Sequence, residues 1–261
     1  MDPALPFAEC RYSTNSGRQY KPHIHKTFSI GAIDRGEVIY HVNGERGLLR
    51  PGTLALINPE LMHACNPVKE TIRSYHMLYL STKWCLKLQQ SLWQTKTFIP
   101  VNTISLEDGR LYSQYINLME IMKGKGNAME KEELLAELVE AVFKKACGPT
   151  CKQSDTALDI KAIKFQLSKK LDQELTLSQL SEDLHANPYT LLRQFKRATG
   201  ITPHAYRINF RIELARHLLR QGMELSQVAL SCGFFDQSHF HRHFKAITTV
   251  TPKEYQINFV Q

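Results

Sequence analysis

The stretch "LSQVALSCGFFDQSHFHRHFKAITTVTPKEY", residues 225–255, decides the fold because it repeats an earlier stretch. Residues 177–206, "LSQLSEDLHANPYTLLRQFKRATGITPHAY", match it from the opening Leu-Ser-Gln to the closing Thr-Pro and Tyr. Each copy is patterned as a short helix, a tight turn and a second helix that ends before Thr-Pro. This is the layout of a helix-turn-helix unit. The sequence therefore predicts two such units in tandem.

Two further helices are predicted around the repeats. "YRINFRIELARHLLRQG", residues 206–222, is patterned as a long helix that connects the two units, and "DIKAIKFQLSKKL", residues 159–171, as a helix that precedes them. Apolar residues recur at helical spacing in both. In the connecting helix these are Ile208, Ile212, Ala215 and Leu219, and in the leading helix Ile160, Ile163, Leu167 and Leu171. The chain from residue 157 to residue 261 is thus predicted to be an all-α domain.

The second repeat places three histidines, His239, His241 and His243, within ten residues. Asp236 is predicted to cap the helix, and Phe240 and Phe244, four residues apart, to form its buried face. A metal site among these histidines is disfavoured, because two imidazoles need further ligands and no nearby Cys, Asp or Glu in the sequence supplies them.

An outward polar and basic face on this helix favours DNA contact instead. Ser238 and Arg242 lie opposite the predicted buried face, where Arg242 could bind guanine through two hydrogen bonds. In the first repeat Asn187-Pro188 is predicted to start the helix, with Leu191 and Phe195 buried. Tyr189, Leu192, Arg193 and Lys196 are predicted on its outer side or flanks.

Residues 158–261 resemble the tandem helix-turn-helix domain of AraC/XylS-family transcriptional regulators. "NPYTLLRQFKRATGITPHAY", "RIELARHLL", "LSQVALSCGFFDQSHFHRHFK" and "TPKEY" carry the resemblance. It implies two recognition helices in successive major-groove faces of DNA. Leu192 departs from the polar residue usual there, and the sequence leaves open whether it packs or contacts thymine methyl groups. The base-contacting positions implied are Tyr189, Leu192, Arg193, Gln237, Ser238, His239, His241 and Arg242.

Residues 20–80 are patterned as short strands and turns. "FSIGAI", "EVIYHV", "GLLR", "TLALI" and "IRSYHMLYL" are rich in β-branched and aromatic residues, and Asn43-Gly44 is a two-residue hairpin signal. This spacing is typical of an antiparallel barrel or sandwich. "TKWCLKLQQSLW" then changes to helical period.

Residues 105–147 are helical in pattern, with two apolar stripes interrupted by "GKGN". The stripes are consistent equally with packing on the barrel and with a dimer interface, because the pattern does not identify the surface that covers them. The stripes are Leu111, Tyr115, Leu118 and Met122, and then Leu134, Leu135, Leu138, Val139, Val142 and Phe143.

Residues 21–67 resemble the cupin barrel that many members of this family carry as an effector domain. His23 and His25 match the HxH of the first cupin motif, Gly36 closes that motif, and His63 matches the second. The metal-binding glutamate of cupins would fall near Ser29 and Ile30, where no carboxylate stands. Three interpretations stay open: three imidazoles that hold an ion, ordinary barrel histidines, or the favoured one, a small-molecule pocket. That pocket would be lined by His23, His25, His63 and His76.

Composition bounds the class of protein. The chain has 261 residues and a formal net charge of +8, and residues 159–261 hold 14 Lys and Arg against 9 Asp and Glu. This bias suits an anionic partner such as double-stranded DNA. No apolar run is long enough to span a membrane and no export signal is visible, so we expect a cytoplasmic protein. The six cysteines are expected to be reduced thiols, and a Cys147–Cys151 pair alone is weak evidence for a metal or redox site.

The sequence thus predicts an α+β protein. Its expected parts are a cupin-like sensor over residues 1–100, a helical dimerisation segment over 101–147, a linker over 148–156 and the DNA-binding domain over 157–261. The expected function is regulation of transcription by a homodimer that binds double-stranded DNA and an unidentified small molecule, with RNA polymerase a further candidate partner. No catalytic residue, metal or cofactor is expected. The alternatives are a metal-dependent cupin enzyme with an accessory domain, and a regulator that answers to a protein partner.

Overall fold

The fold was analysed in a computed structural model, which describes residues 4–42, 44–68, 71–124, 126–148 and 158–259. The chain forms two compact units. The first comprises Met1–Gly124 and Leu134–Asp155, and the second Lys125–Glu133 and Thr156–Gln261. Among the described residues, no helix is long and apolar enough to cross a membrane.

The first unit contains two antiparallel sheets. One has the strand order β1-β7-β2-β5-β8 and the other the order β4-β3-β6. The strands are β1 (Ala8–Ser16), β2 (Phe28–Arg35), β3 (Val38–Val42), β4 (Glu45–Leu49), β5 (Thr53–Ile57), β6 (His63–Pro67), β7 (Arg73–Leu80) and β8 (Ser105–Glu107). The two sheets together confirm the predicted β-rich domain.

Hydrophobic strands form the middle of the larger sheet. In β2 the six residues from Phe28 to Ile33 are all buried, and Ile30 is paired with Leu56 on one side and Leu78 on the other. β3 and β4 pair through Val42 and Glu45, which agrees with the predicted two-residue hairpin, although Asn43 itself lies outside the described residues. Sequence patterning found β2, β3, β4, β5 and β7. It missed β1, β6 and β8, all of which lie at a sheet edge.

Helices α1 (Thr82–Leu92), α2 (Gly109–Lys123) and α3 (Ala128–Ala146) follow the strands. Tyr115 is fully buried, and its hydroxyl donates to the Ile30 carbonyl oxygen at 2.8 Å. The rings of Phe143 and Phe28 lie 5.2 Å apart. The apolar stripes of α2 and of α3 from Leu134 onward therefore pack on the larger sheet. α2, and α3 from Leu134 onward, lie in the same compact unit as the sheets.

The second unit contains the predicted tandem repeat. α5 and α6 form the first helix-turn-helix, α8 and α9 the second, and α7 connects them. Asn187 caps α6 and Asp236 caps α9, each by accepting backbone N–H groups on its side chain, as predicted. The helices are α4 (Ile160–Ser168), α5 (Leu177–Glu182), α6 (Pro188–Thr199), α7 (Pro203–Arg220), α8 (Leu225–Ser231), α9 (Gln237–Thr248) and α10 (Pro252–Phe259). The predicted linker, residues 148–156, lies outside the described residues except for Gly148.

The turn of the second helix-turn-helix packs closely against the loop after α4. Gly233 has a φ of +75°, and a Cβ there would lie 2.2 Å from the Leu171 carbonyl oxygen and 2.8 Å from the Arg211 Nη2. Leu171 and Arg211 are themselves joined, because the Arg211 Nε donates to that carbonyl at 3.0 Å. The turn thus requires glycine both for its backbone conformation and for space.

Gly233→Ala is expected to destabilise the second unit more than Gly222→Ala. Gly222 also has a positive φ, +80°, but nothing lies within 4 Å of its added Cβ. Gly222→Ala, the control, should lower the free energy of unfolding by about 1–2 kcal/mol, because alanine disfavours left-handed backbone. Gly233→Ala should lower it by about 1–3 kcal/mol more, because its Cβ also clashes with the loop. Guanidinium denaturation followed by circular dichroism measures both. Equal midpoints for the two variants would show that the close contact adds nothing.

Candidate nucleic-acid interface and effector cavity

The outer face of α9 carries the exposed residues predicted to contact DNA. Phe240 and Phe244 are fully buried, as predicted, and anchor the helix in the core of the second unit. The opposite side presents the predicted DNA-contact residues Gln237, Ser238, His241 and Arg242, all exposed. The side chain of Asp236 accepts the His239 N–H at 2.6 Å and fixes the start of the helix. One guanidinium and several other polar, hydrogen-bonding groups therefore share a single helix face.

His239 and His243 point inward from α9. His239 is 8% exposed, His243 is half-buried, and their rings lie 4.6 Å apart in a T-shaped contact. Burial lowers the pKa of each imidazole to about 4. His239, which the sequence predicts to contact DNA, is therefore turned toward the interior of the unit in this conformation.

The first recognition helix is less accessible. Of the residues predicted to contact DNA on α6, Tyr189 is 2% exposed and Leu192 5%, while Arg193 is half-buried and Lys196 exposed. The Tyr189 hydroxyl donates to the Glu132 carboxylate at 2.9 Å. Tyr189 and Leu192 therefore present almost no surface here, and for Leu192 the packing interpretation describes this conformation.

Residues 126–133, called the cover segment below, belong to the same unit as α6 and α9. Three consecutive charged residues in it, Lys131, Glu132 and Glu133, are buried. The Glu133 carboxylate accepts the backbone N–H of His204 at 2.8 Å, at the start of α7. Sequence patterning gave no sign of this contact, because residues 126–133 precede the domain by more than twenty residues and read as part of an ordinary amphipathic helix.

The first unit contains a cavity of about 290 Å³ inside its sheets. Of the four predicted pocket histidines, His23, His63 and His76 line it, and His25 lies behind His63 with ring centroids 4.6 Å apart. Burial lowers the pKa of His63 to about 4, so its ring is neutral near pH 7. The backbones of His23 and His63 are also paired as an isolated bridge, which brings the two cupin-like motifs together.

Two arginines and several tyrosines complete the cavity wall. Arg73 is 2% exposed, and its guanidinium donates to the Arg18 and Cys65 carbonyl oxygens at 3.2 and 3.0 Å. Among the described residues no carboxylate forms an ion pair with Arg73, and none lines the cavity. Sequence reasoning missed these groups, although period-two alternation on β7 would have found Arg73, Tyr75 and Tyr79. Arg11, Tyr12, Tyr20, Arg73, Tyr75 and Tyr79 are the cationic and phenolic residues of the wall.

The barrel histidines have well-defined ring orientations. The Nδ1 atoms of His23 and His63 lie 2.9 Å from the carbonyl oxygens of Lys21 and Leu61, and that of His25 lies 3.0 Å from Thr27 oxygen. Such contacts place the proton on Nδ1 and leave Nε2 as an acceptor. In the described part of the chain, the nitrogen atoms of these three rings do not form a group of potential metal ligands that all lie within 4.8 Å of one another. Their arrangement therefore suits acceptance of hydrogen bonds from a ligand.

Comparisons with known proteins agree with both units. The family model described as AraC-like ligand binding domain matches residues 6–139, and that described as helix-turn-helix domain matches residues 180–257. The chain is 27% identical over 241 residues to the uncharacterized HTH-type transcriptional regulator YbfI of Bacillus subtilis, covering 92% of this chain and 87% of that protein. It is 25% identical over 252 residues to the HTH-type transcriptional activator RhaS of Escherichia coli, covering 92% and 85%.

Among solved structures, apo ToxT from Vibrio cholerae is 15% identical, with a TM-score of 0.42 and coverage of 97% of this chain and 98% of that one. The two family models carry more weight. One covers about half of the chain and the strands that enclose the cavity, and the other covers both recognition helices. The chain belongs to the AraC family of transcriptional regulators, with an N-terminal ligand-binding domain and a C-terminal helix-turn-helix domain.

Proposed function

We propose that this regulator reads double-stranded DNA chiefly through the exposed face of α9 and takes a small anionic effector into the cavity of its first unit. The observation that supports DNA binding is the exposed face of α9. Gln237, Ser238, His241 and Arg242 are exposed above a fully buried Phe pair, so the reading groups are held by a rigid helix. Because its partner is DNA, its proposed place of action is the cytoplasm.

In this proposal the cover segment controls the first recognition helix. Tyr189 and Leu192 can reach base edges only after residues 126–133 move, since Glu132 holds the Tyr189 hydroxyl. Until then, of the four residues of α6 predicted to contact DNA, Lys196 alone is exposed, and its ammonium suits a phosphate contact. DNA affinity and the position of the cover segment are therefore coupled.

The proposed effector is a small acid. Arg73 is a buried guanidinium that donates to two neutral carbonyl oxygens, and among the described residues no carboxylate lines the cavity that it borders. A buried cation of this kind favours an anionic ligand, because a carboxylate or phosphate would pair its charge in a low-dielectric site. The surrounding tyrosines and histidines supply hydrogen bonds and ring contacts to the remainder of the ligand.

We further propose that the protein is a homodimer that joins through α2 and α3, with RNA polymerase as a candidate partner. The observation that supports it is a groove between these helices, where the partly exposed Leu134 and Ala141 lie among polar and charged residues such as Arg110, Gln114 and Glu137. The regulators YbfI and RhaS support a regulatory role over the alternative of a cupin enzyme. The alternative of a protein effector predicts that no small molecule stabilises the first unit, which distinguishes it from the acid proposed here.

Arg242→Ala is expected to weaken binding of the full chain to a specific site, selected from random DNA, by about 1–3 kcal/mol. Arg242→Lys is the matched control, since it keeps the charge and loses the paired hydrogen bonds to guanine. Band shifts on selected and random DNA measure both. If Arg242→Lys restores specific binding completely, Arg242 contacts a phosphate and not a base.

Glu132→Gln is expected to raise DNA affinity, by up to about tenfold for a loss of 1.4 kcal/mol, because a neutral amide holds the Tyr189 hydroxyl less strongly than a carboxylate does. Glu140→Gln on the same helix is the control, since Glu140 pairs only with the exposed Lys144 in the described structure. Fluorescence anisotropy with labelled DNA measures the change. Unaltered or lower affinity in Glu132→Gln alone would show that the cover segment does not oppose DNA binding.

Arg73→Gln is expected to abolish stabilisation of the full chain by small acids. Thermal melts with a panel of carboxylates, phosphates and neutral sugars should show a rise in Tm for at least one acid in the wild type and none in the variant. Arg50→Gln is the control, because Arg50 pairs with Glu37 on the surface of the same unit. Tyr79→Phe, a milder change in the wall, covers the case in which Arg73→Gln fails to fold. A neutral sugar that binds the wild type and Arg73→Gln equally would contradict the anionic class.

A further inference from the structure

One cluster of ligating side chains in the second unit has no part in the function described above. Glu130 of the cover segment and His239 and His243 of α9 each bring one ligand atom within 4.8 Å of the other two. In the described part of the chain, no other three His, Cys, Asp or Glu side chains bring their ligand atoms within this distance of one another. All three residues lie in the second unit.

The imidazole nitrogens of this cluster lack partners. The Nε2 atoms of His239 and His243 are both buried, and they neither donate nor accept a hydrogen bond. The same holds for Nε2 of the neighbouring His204. His239 and His204 are more than nine-tenths buried. A buried polar atom without a partner is unfavourable because it has lost its hydrogen bonds to water, and a bound ion is one of the standard reasons for such an atom.

We propose that Glu130, His239 and His243 form a binding site for a divalent transition-metal ion of the zinc class. Two histidines at i and i+4 share one helix face, a spacing that suits joint binding of zinc. A carboxylate completes a set of two imidazoles and one oxygen donor, which leaves the fourth tetrahedral position open for water. Imidazole ligands favour zinc, copper and nickel over magnesium or calcium.

The protonation states suit a metal ligand set. Burial lowers the pKa of both histidines to about 4, so both rings are neutral near pH 7, as a ligating imidazole must be. His239 Nδ1 accepts the Phe235 N–H at 3.3 Å. A ring metallated at Nε2 carries its proton on Nδ1, so ion binding exchanges that long hydrogen bond for coordination.

Nearby cations oppose the ion and limit its affinity. Arg242 and Arg211 both lie close enough to His239 and His243 to disfavour positive charge there. Arg242 is exposed and therefore screened by solvent and salt, and Glu130 contributes a negative charge to the cluster. We therefore expect weaker binding than in a closed site with four protein ligands.

The ion would join two parts of the unit that are far apart in the sequence. Glu130 precedes the repeats by more than forty residues, which is why the histidines of α9 alone gave no sign of a third ligand. Coordination would fasten the cover segment to the second recognition helix. Metal would then stabilise the unit by binding its folded form alone.

The test uses the metal-stripped full chain, titrated with zinc and, for its visible absorption, with cobalt. We expect one cobalt ion bound in a tetrahedral environment and a zinc-dependent rise in Tm. Both should be lost in Glu130→Gln and in His243→Gln, while His217→Ala, which removes an exposed histidine of the same unit, should retain them. His63→Ala should also retain them, which separates this site from the barrel histidines.

Two results would overturn the proposal. One is the absence of a stoichiometric ion in the wild type. The other is an ion that survives Glu130→Gln and disappears in His63→Ala. Circular dichroism of each metal-free variant checks the fold, and Glu130→Gln, which preserves side-chain volume, decides the question if His243→Gln unfolds. Neither result would bear on DNA reading by Arg242, which is measured without added metal.

Discussion

Two buried guanidinium groups hold the DNA-binding unit together. Arg207 and Arg211, one turn apart on α7, donate six hydrogen bonds to backbone carbonyl oxygens of the last turn of α4 and the loop that follows it. Both side chains are nearly inaccessible to water. A buried charge is tolerated only when it is well hydrogen-bonded, so the loop must keep its shape for α7 to stay folded as it is. The turn at Gly233 closes on the same loop and the same Arg211.

This constraint determines what the recognition helices can present. α7 connects α6 to α9, and with its two arginines fixed it acts as a rigid spacer between them. α9 exposes its polar face, whereas α6 is covered by residues 126–133, which are bound through Glu132 and Glu133. Two helices that are alike in sequence therefore differ in accessibility. The difference comes from a segment outside the repeat, and it provides a physical route by which events elsewhere in the chain could alter DNA reading.

The same chemistry has a different outcome in the first unit. Arg73 is as deeply buried as Arg211 and, like Arg211, donates two hydrogen bonds to carbonyls, but it lines the cavity and lies near the rings of Tyr20 and Tyr75. A guanidinium offers five N–H groups, so Arg73 retains donors that face the cavity. Arg207 and Arg211 are structural because their carbonyl partners belong to the segment on which α7 and the Gly233 turn pack, whereas Arg73 suits a ligand because it lines a cavity.

The sequence by itself determined the features that depend on near neighbours along the chain. The repeat, the caps Asn187 and Asp236, the buried Phe pair of α9 and the hydrophobic inner strands all follow from local spacing, because helix and strand periods act over a few residues. Strands β1, β6 and β8 were missed because β1 is largely polar, β6 contains Asn and Pro, and β8 has three residues. Only the tertiary structure decided which polar groups meet. Arg73 at the cavity, Glu132 on Tyr189, and Glu130 beside His239 and His243 join residues far apart in sequence, where the packing of whole elements fixes the distance and no local pattern records it.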